Sequence, residues 1–227
     1  FMELYCEFLR NKVRSALGGE QKPLAGFKFV VDAGNGAGGF YATRVLKELG
    51  ANVEGSQFLE PDGSFPNHIP NPENEYAMEC ACKATVAAKA DLGIIFDTDV
   101  DRAGAVGADG SEINRNRLIA LAAYMVSGEK GGATIVTDSV TSDGLREYLE
   151  NTLNDTHYRY RRGYKNVINK AIELCKEGIN CPLAIETSGH AALRENYFLD
   201  DGAYLVTKIV IELARGRDIE KILSPLK

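Results

Sequence analysis

Leu92-Gly93-Ile94-Ile95-Phe96-Asp97-Thr98-Asp99-Val100-Asp101-Arg102 is the stretch on which the reading of this chain turns. An uncharged run of strand length leads straight into three carboxylates at alternate positions, and a guanidinium closes the segment. Three anions delivered to one small loop repel one another unless something cationic sits among them. A hard divalent ion such as Mg2+ suits a set of oxygen-only donors, and the adjacent Arg102 suits a phosphate that shares the metal. One aspartate at a strand end would read as a turn residue or helix cap. Asp97, Asp99 and Asp101 together with Arg102 point instead to a metal site and phosphoryl chemistry. A calcium EF-hand begins with the same spacing but needs Gly at its sixth position and Glu at its twelfth, where this chain has Arg102 and Ala108.

Composition narrows the setting. With 227 residues, 44% hydrophobic and 26% charged, the chain is long enough for one large or two ordinary domains. No apolar run approaches the roughly 20 residues of a membrane helix. Phe1 to Leu17 carries charges throughout rather than a signal-peptide core. A formal charge of −6 argues against nucleic acid as partner, so an anionic substrate must be held by a local cationic cluster working against the global field. Cys6, Cys80, Cys82, Cys175 and Cys181 form no CxxC pair, and their odd number argues against a disulfide framework. They read as buried thiols in a reducing compartment, cytoplasmic, or plastid if a transit peptide has been removed.

Outward from the acidic loop, strands and helices alternate. Strands are expected at Phe27 to Val31, Leu92 to Phe96, Ala133 to Thr137, His157 to Tyr160 and Leu183 to Glu186. Helices are expected at Gly39 to Leu49, from an Asn71 cap to about Ala90, and at Arg117 to Val126, Asp143 to Leu149, Lys165 to Lys176 and Ala203 to Ala214, with a short one near Asp218. Hairpins are expected across Asp109-Gly110 and around Ala191 to Phe198. This alternation predicts α/β layers with largely parallel strands and antiparallel edges, divided near Gly107 to Ser111. Several strands end on an acid followed by small or hydroxylic residues, among them Asp32-Ala33-Gly34, Asp138-Ser139 and Glu186-Thr187-Ser188-Gly189. In open α/β sheets ligands bind beyond such strand ends. Gly34-Asn35-Gly36-Ala37-Gly38-Gly39 satisfies the dinucleotide pattern GxGxxG, but the only acid near the ribose-binding distance, Glu54, lies after a second weak strand. A glycine-rich structural turn is the better reading.

Five segments in order carry a resemblance: Val31-Asp32-Ala33-Gly34-Asn35-Gly36-Ala37-Gly38, Gly63-Ser64-Phe65-Pro66-Asn67-His68-Ile69-Pro70-Asn71-Pro72-Glu73, Asp97 to Arg102, Glu186-Thr187-Ser188-Gly189-His190 and Asp200-Asp201-Gly202. Together they resemble the α-D-phosphohexomutases, the phosphoglucomutase and phosphomannomutase family. That family has four domains, and this chain is similar to the second and third. The resemblance implies two three-layer α/β domains with mixed, largely parallel sheets, residues 1–108 ending in the metal loop and residues 109–227 carrying the sugar loop. It also implies transfer of a phosphoryl group between C1 and C6 of a hexose phosphate, by way of an enzyme phosphoserine.

By the same resemblance, Asp97, Asp99 and Asp101 hold Mg2+, Arg102 stands beside the transferring phosphate, and Glu186 and Ser188 bond the sugar hydroxyls with His190 following. Arg161-Arg162-Gly163-Tyr164-Lys165 lies where the family meets the ligand with a Thr-Gly loop and a basic residue, so Arg162, Gly163 and Lys165 are candidates too. Glu186 and Ser188 are expected to project into a cleft facing Arg102. Phosphoryl transfer needs positioning and positive charge, which Arg102, Arg162 and Lys165 with a metal supply.

The chain departs from the family pattern in several places. Thr98 and Val100 replace spacer glycines, so a positive φ at either would strain the loop. Ile185 stands for the glycine before the sugar loop, and Arg162 for a threonine. Neither the serine segment Thr-Ala-Ser-His-Asn-Pro nor the carboxy-terminal phosphate loop is present. Two expectations follow: a central fragment of an enzyme whose flanking domains I and IV complete it, or a stand-alone, non-catalytic module that binds metal or sugar phosphate. Phe1 in place of an initiator Met favours the fragment.

Overall fold

A computed structural model of the protein describes residues 1–128 and 130–226. The strands are β1 (Phe29–Asp32), β2 (Leu92–Phe96), β3 (Ala103–Gly107), β4 (Glu112–Ile113), β5 (Thr134–Thr137), β6 (Thr156–Arg159), β7 (Leu183–Ile185) and β8 (Ala191–Leu193). The α-helices are α1 (Met2–Ala16), α2 (Glu75–Ala88), α3 (Arg115–Val126), α4 (Asp143–Glu147), α5 (Tyr164–Lys176), α6 (Gly202–Ala214) and α7 (Ile219–Leu223). They build two mixed four-stranded sheets with helices on both sides, ordered β1-β2-β3-β4 and β6-β5-β7-β8. The expected α/β class is thus borne out. β1 and β2 run parallel, as do β5 with β6 and β5 with β7, while β3, β4 and β8 pair antiparallel. β1, β2, β3 and β5 are buried along their whole length, which is why none alternates apolar with exposed polar residues; the polar groups at the ends of β1 and β5, Asp32, Thr134 and Thr137, are buried with them.

One hydrophobic core passes through both sheets. It joins Leu9 of α1, Val31, Phe96 and Ile113 of the first sheet to Ile135 and Leu183 of the second, by way of α3 and α6. α6 is the centrepiece: Gly202 to Thr207 and Ile209 to Ile211 are all buried, because it touches α1, α3, β3 and β8 together. A helix apolar around nearly its whole circumference belongs inside, and each buried Val, Leu or Ile contributes about 1.5–3 kcal/mol. Smaller clusters cover the outer faces, Val136, Val167, Ala171 and Leu174 under α5, and Ala77, Met78, Ile95 and Val106 under α2.

Several elements differ from the sequence reading. α1 is a regular helix whose Cys6, Leu9 and Val13 reach the core, although its many charges hid that stripe. The helix expected over Gly39 to Leu49 is wound as a π-helix from Tyr41 to Leu46, with bonds such as Lys47 N–H to Ala42 O at 3.1 Å. α2 starts after Asn74, whose Oδ1 accepts from Ala77 N–H at 3.0 Å, and not after Asn71. Asn71 is spent on an Asx turn, accepting from Glu73 N–H at 2.9 Å. The hairpin expected within Ala191 to Phe198 is instead formed by β7 and β8, closed by the turn 186–190 where Gly189 has φ +98°. Cys6 and Cys181 are buried thiols as expected, whereas Cys80, Cys82 and Cys175 are partly exposed; all five are free. Among the described residues no helix is long and apolar enough to cross a membrane.

Candidate active site

β2 ends at Phe96 and hands the chain to the acidic loop. Asp97 is buried, and its carboxylate organises the loop: Oδ1 accepts from Val100 N–H at 3.0 Å and Arg102 N–H at 3.1 Å, and Oδ2 accepts from Arg102 Nε at 2.9 Å. Carboxylate oxygens of Asp97, Asp99 and Asp101 all lie within 4.8 Å of one another. Burial pushes the Asp97 carboxyl above the usual carboxylate range; Asp101 pushes the same way, and the bonds from Arg102 oppose the rise. A cation among the three would relieve both the desolvation and the repulsion. The donors are all oxygen, so the residues fit Mg2+.

The spacer positions behave differently from each other. Thr98 keeps negative φ, whereas Val100, a buried β-branched residue, is held at φ 72°. That conformation is unfavourable for Val, and it persists because both ends of the residue are fixed. Its N–H goes to Asp97, and its carbonyl accepts from Gly202 N–H at 3.0 Å, at the start of α6. The glycine turn supports the same loop from below. Ala37 N–H donates to Thr98 O at 2.8 Å, and a Cβ on Gly36 would stand 2.7 Å from that oxygen. So the GxGxxG segment serves close backbone packing, in keeping with the structural reading. Beneath the turn, fully buried His68 places Nε2 2.9 Å from Asp32 Oδ1 and Nδ1 3.0 Å from Ile69 O. Both neighbours are acceptors, and the Asp32 bond raises the His68 pKa against the burial that opposes it.

Glu186 is buried, its Oε1 accepts from Gly163 N–H at 2.6 Å, and Ser188 Oγ donates to its Oε2 at 3.4 Å. A carboxylate at a buried strand end needs donors, and the Gly163 turn supplies one. Burial raises the Glu186 pKa, the Gly163 bond opposes, and Asp138 adds to the rise. The contact with Arg102 is made by the backbone of His190, through an antiparallel bridge between the two residues. His190 Nδ1 lies 2.7 Å from Asp200 Oδ2 and 3.7 Å from Asp101 Oδ2, and its ring stacks on Tyr164 with centroids 4.8 Å apart. Burial works against the imidazolium, but Asp200 and Asp101 outweigh it and the His190 pKa is raised.

Arg102 beside the acidic loop and Arg162 before α5 both lie against Glu73, at 4.0 and 3.8 Å, and Gly163 next to Arg162 bonds Glu186. Lys165 is exposed at the start of α5, its Nζ 5.9 Å from the Tyr164 ring centroid. The sequence marks none of Glu73, Asn71, Tyr164 and Asp200 as a site residue, yet each contacts a candidate residue. All four lie inside or beside the quoted motifs. An apolar groove of about 520 Å³, bordered by Tyr5, Phe8, Tyr197 and Leu199, opens next to Asp99 and Asp101.

Comparison with known proteins agrees with this architecture. Residues 3–110 match the family model "Phosphoglucomutase/phosphomannomutase, alpha/beta/alpha domain II", and residues 114–226 match that of domain III. The chain belongs to the phosphoglucomutase/phosphomannomutase family, of which it represents domains II and III. It is 33% identical over 222 residues to the phosphomannomutase/phosphoglucomutase of Pseudomonas aeruginosa, covering 97% of this chain and 45% of that protein. The phosphoglucomutase of Neisseria meningitidis is 29% identical over 204 residues, covering 88% of this chain and 42% of the relative. A crystal structure of a family protein from Burkholderia thailandensis superposes with a TM-score of 0.79 at 32% identity, covering 96% of this chain and 46% of that one. The chain thus spans less than half the length of these relatives.

Proposed function

We propose that this chain is the central part of a phosphohexomutase that moves a phosphoryl group between the C1 and C6 oxygens of a hexose phosphate, using a phosphoserine carried on a flanking domain. The clustering of the Asp97, Asp99 and Asp101 carboxylates, with Arg102 bonded to Asp97 and both Arg102 and Arg162 against Glu73, carries the reading. Residues 1–108 and 109–227 are its two domains, and the groove beside Asp99 and Asp101 is where the serine-bearing flank would reach the loop.

In this reading Asp97, Asp99 and Asp101 hold Mg2+, which when bound supplies positive charge to the phosphoryl oxygens. Arg102 is fixed by its Nε bond to Asp97, which holds the guanidinium beside the acidic loop where a phosphate would share the metal. Arg162 adds its positive charge beside Arg102 at the phosphate, both lying against Glu73, and Lys165 and the Gly163 turn meet the substrate next to them. Glu186 and Ser188 take sugar hydroxyls while Glu186 keeps its bond to Gly163. His190, tied to Asp200, stands at the seam of the two loops and orients both.

The test is an interconversion assay of glucose 1-phosphate and glucose 6-phosphate. The chain alone gives no turnover above a blank, because a covalent mechanism without its nucleophile loses several orders of magnitude. The protein with both flanking domains interconverts the two. Activity in the isolated chain would overturn the assignment.

A further inference from the structure

Glu73 occupies a position that the candidate reaction leaves unexplained. Its carboxylate lies between the two arginines of the cleft, Oε2 4.0 Å from Arg102 Nη1 and Oε1 3.8 Å from Arg162 Nη2. Arg102 closes the metal loop on one sheet, and Arg162 precedes α5 on the other, so a single anion spans the seam between them. It does so from a firm base. Glu73 N–H is held by Asn71 Oδ1, Pro72 O accepts from Asn114 Nδ2 at 2.8 Å, and Asn74 begins α2 immediately after. Asn71 Oδ1 also receives Arg102 Nη1 at 3.3 Å, so the same turn steadies the guanidinium and presents the acid.

Both ion pairs are longer than the roughly 2.7–2.9 Å of a charge-assisted hydrogen bond. The carboxylate attracts both guanidinium groups without saturating either. All three side chains keep access to solvent, where such pairs are weak and readily exchanged. A phosphate monoester carries more charge than a carboxylate and has three terminal oxygens, enough for bidentate contact with each guanidinium.

We infer that Glu73 is an internal stand-in for the substrate's phosphate: it holds Arg102 and Arg162 in register across the cleft while the site is empty, and the incoming phosphate displaces it. This rests on the reading of Arg102 and Arg162 as a phosphate site. Glu73 then sets the affinity threshold for every anion that enters, because each must first compete with an anion already tethered there. A neutral isostere removes the charged competitor, while the bonds from Arg102 to Asp97 and Asn71 still hold that guanidinium.

The experiment is a titration of this chain with inorganic phosphate at low ionic strength and neutral pH, followed by NMR, for wild type, Glu73→Gln and Arg162→Ala, with melting temperatures recorded alongside. Glu73→Gln should tighten phosphate binding about three- to tenfold, and Arg162→Ala should weaken it. In the wild type the Glu73 side-chain carboxyl carbon should shift on adding phosphate, a response that a merely structural acid would not give. If Glu73→Gln binds phosphate equally or more weakly while Arg162→Ala still weakens it, Glu73 is no stand-in and the inference fails, with the phosphate site intact. If Arg162→Ala binds phosphate as wild type does, the arginine pair is not the phosphate site and the underlying reading falls with the inference. Should Glu73→Gln lower the melting temperature sharply, the carboxyl-carbon shift in the wild type decides, and its absence overturns the inference.

Discussion

Val100 is the residue at which local preference and loop geometry disagree most. Its φ of 72° costs any residue with a Cβ, and β-branching adds to the cost. Its buried side chain, in turn, contributes to the core. Truncation to Ala gives up that burial and keeps the strain, whereas Gly gives up slightly more burial and releases it. Val100→Gly should therefore be more stable than Val100→Ala by about 1 kcal/mol in urea unfolding, the reverse of the order in an ordinary loop. The histidines make a second residue-level prediction. His68 has a folded pKa raised above its unfolded value, so its stabilisation is complete below about pH 6.5 and is lost as pH rises through the folded pKa. His157 is the opposite case, lowered to about 4 by burial, with Arg159 and Arg146 adding to it. Its contribution is present above about pH 6.5 and lost as pH falls towards the folded value. Unfolding free energies measured across pH should show His68→Gln removing part of the alkaline limb and His157→Gln part of the acid limb. Parallel profiles for wild type and His68→Gln above pH 6.5 would mean that His68 is not held as the imidazolium.

α6 is the element that ties the acidic loop to the second sheet. Its first residue, Gly202, sits so close to the loop that a Cβ would lie 2.7 Å from the Arg102 carbonyl carbon and 2.9 Å from Val100 O. Gly202→Ala should destabilise by about 2 kcal/mol although Ala is the better helix former, because the clash is with backbone that cannot swing away. A variant as stable as wild type would mean that the loop and α6 are not rigidly docked. Much of this architecture was legible beforehand. β2 was read with its observed limits, since an uncharged run flanked by Ala90-Asp91 and the acidic loop leaves little choice. α3, α5 and α6 were placed within two residues at their starts, their apolar content and caps agreeing. α1 was not legible, because its core stripe of Cys6, Leu9 and Val13 is narrow and its other faces are polar or aromatic. By composition Asn71 and Asn74 are equally good caps for α2, and only the folded chain shows Asn71 spent on the Glu73 N–H and the Arg102 guanidinium instead. At the site, the acidic trio was readable from spacing alone. Contacts across the seam, Glu73 with Arg162 or His190 with Asp101, join residues far apart in the chain, and local pattern carries no signal for them.

The molecule as a whole is one continuous core under two sheets, and the loops after β2 and β7, which carry the candidate site residues, meet at the bridge between Arg102 and His190. The relatives it matches are more than twice as long. Mg2+ keeps several waters and relies on phosphate oxygens to complete its shell, so carboxylates alone should hold it weakly, and a phosphate-free chain should need millimolar metal. A titration of this chain with Mg2+ by NMR, comparing wild type with Asp99→Ala, tests the metal-dependent phosphoryl-transfer reading at its root. The predicted result is weak, saturable shifts in the wild type confined to Asp97 through Arg102 and the Gly36-Ala37 turn that supports them, and none at those positions in the variant. Identical shifts in the two proteins would mean that Asp97, Asp99 and Asp101 are a solvated turn and not a metal site.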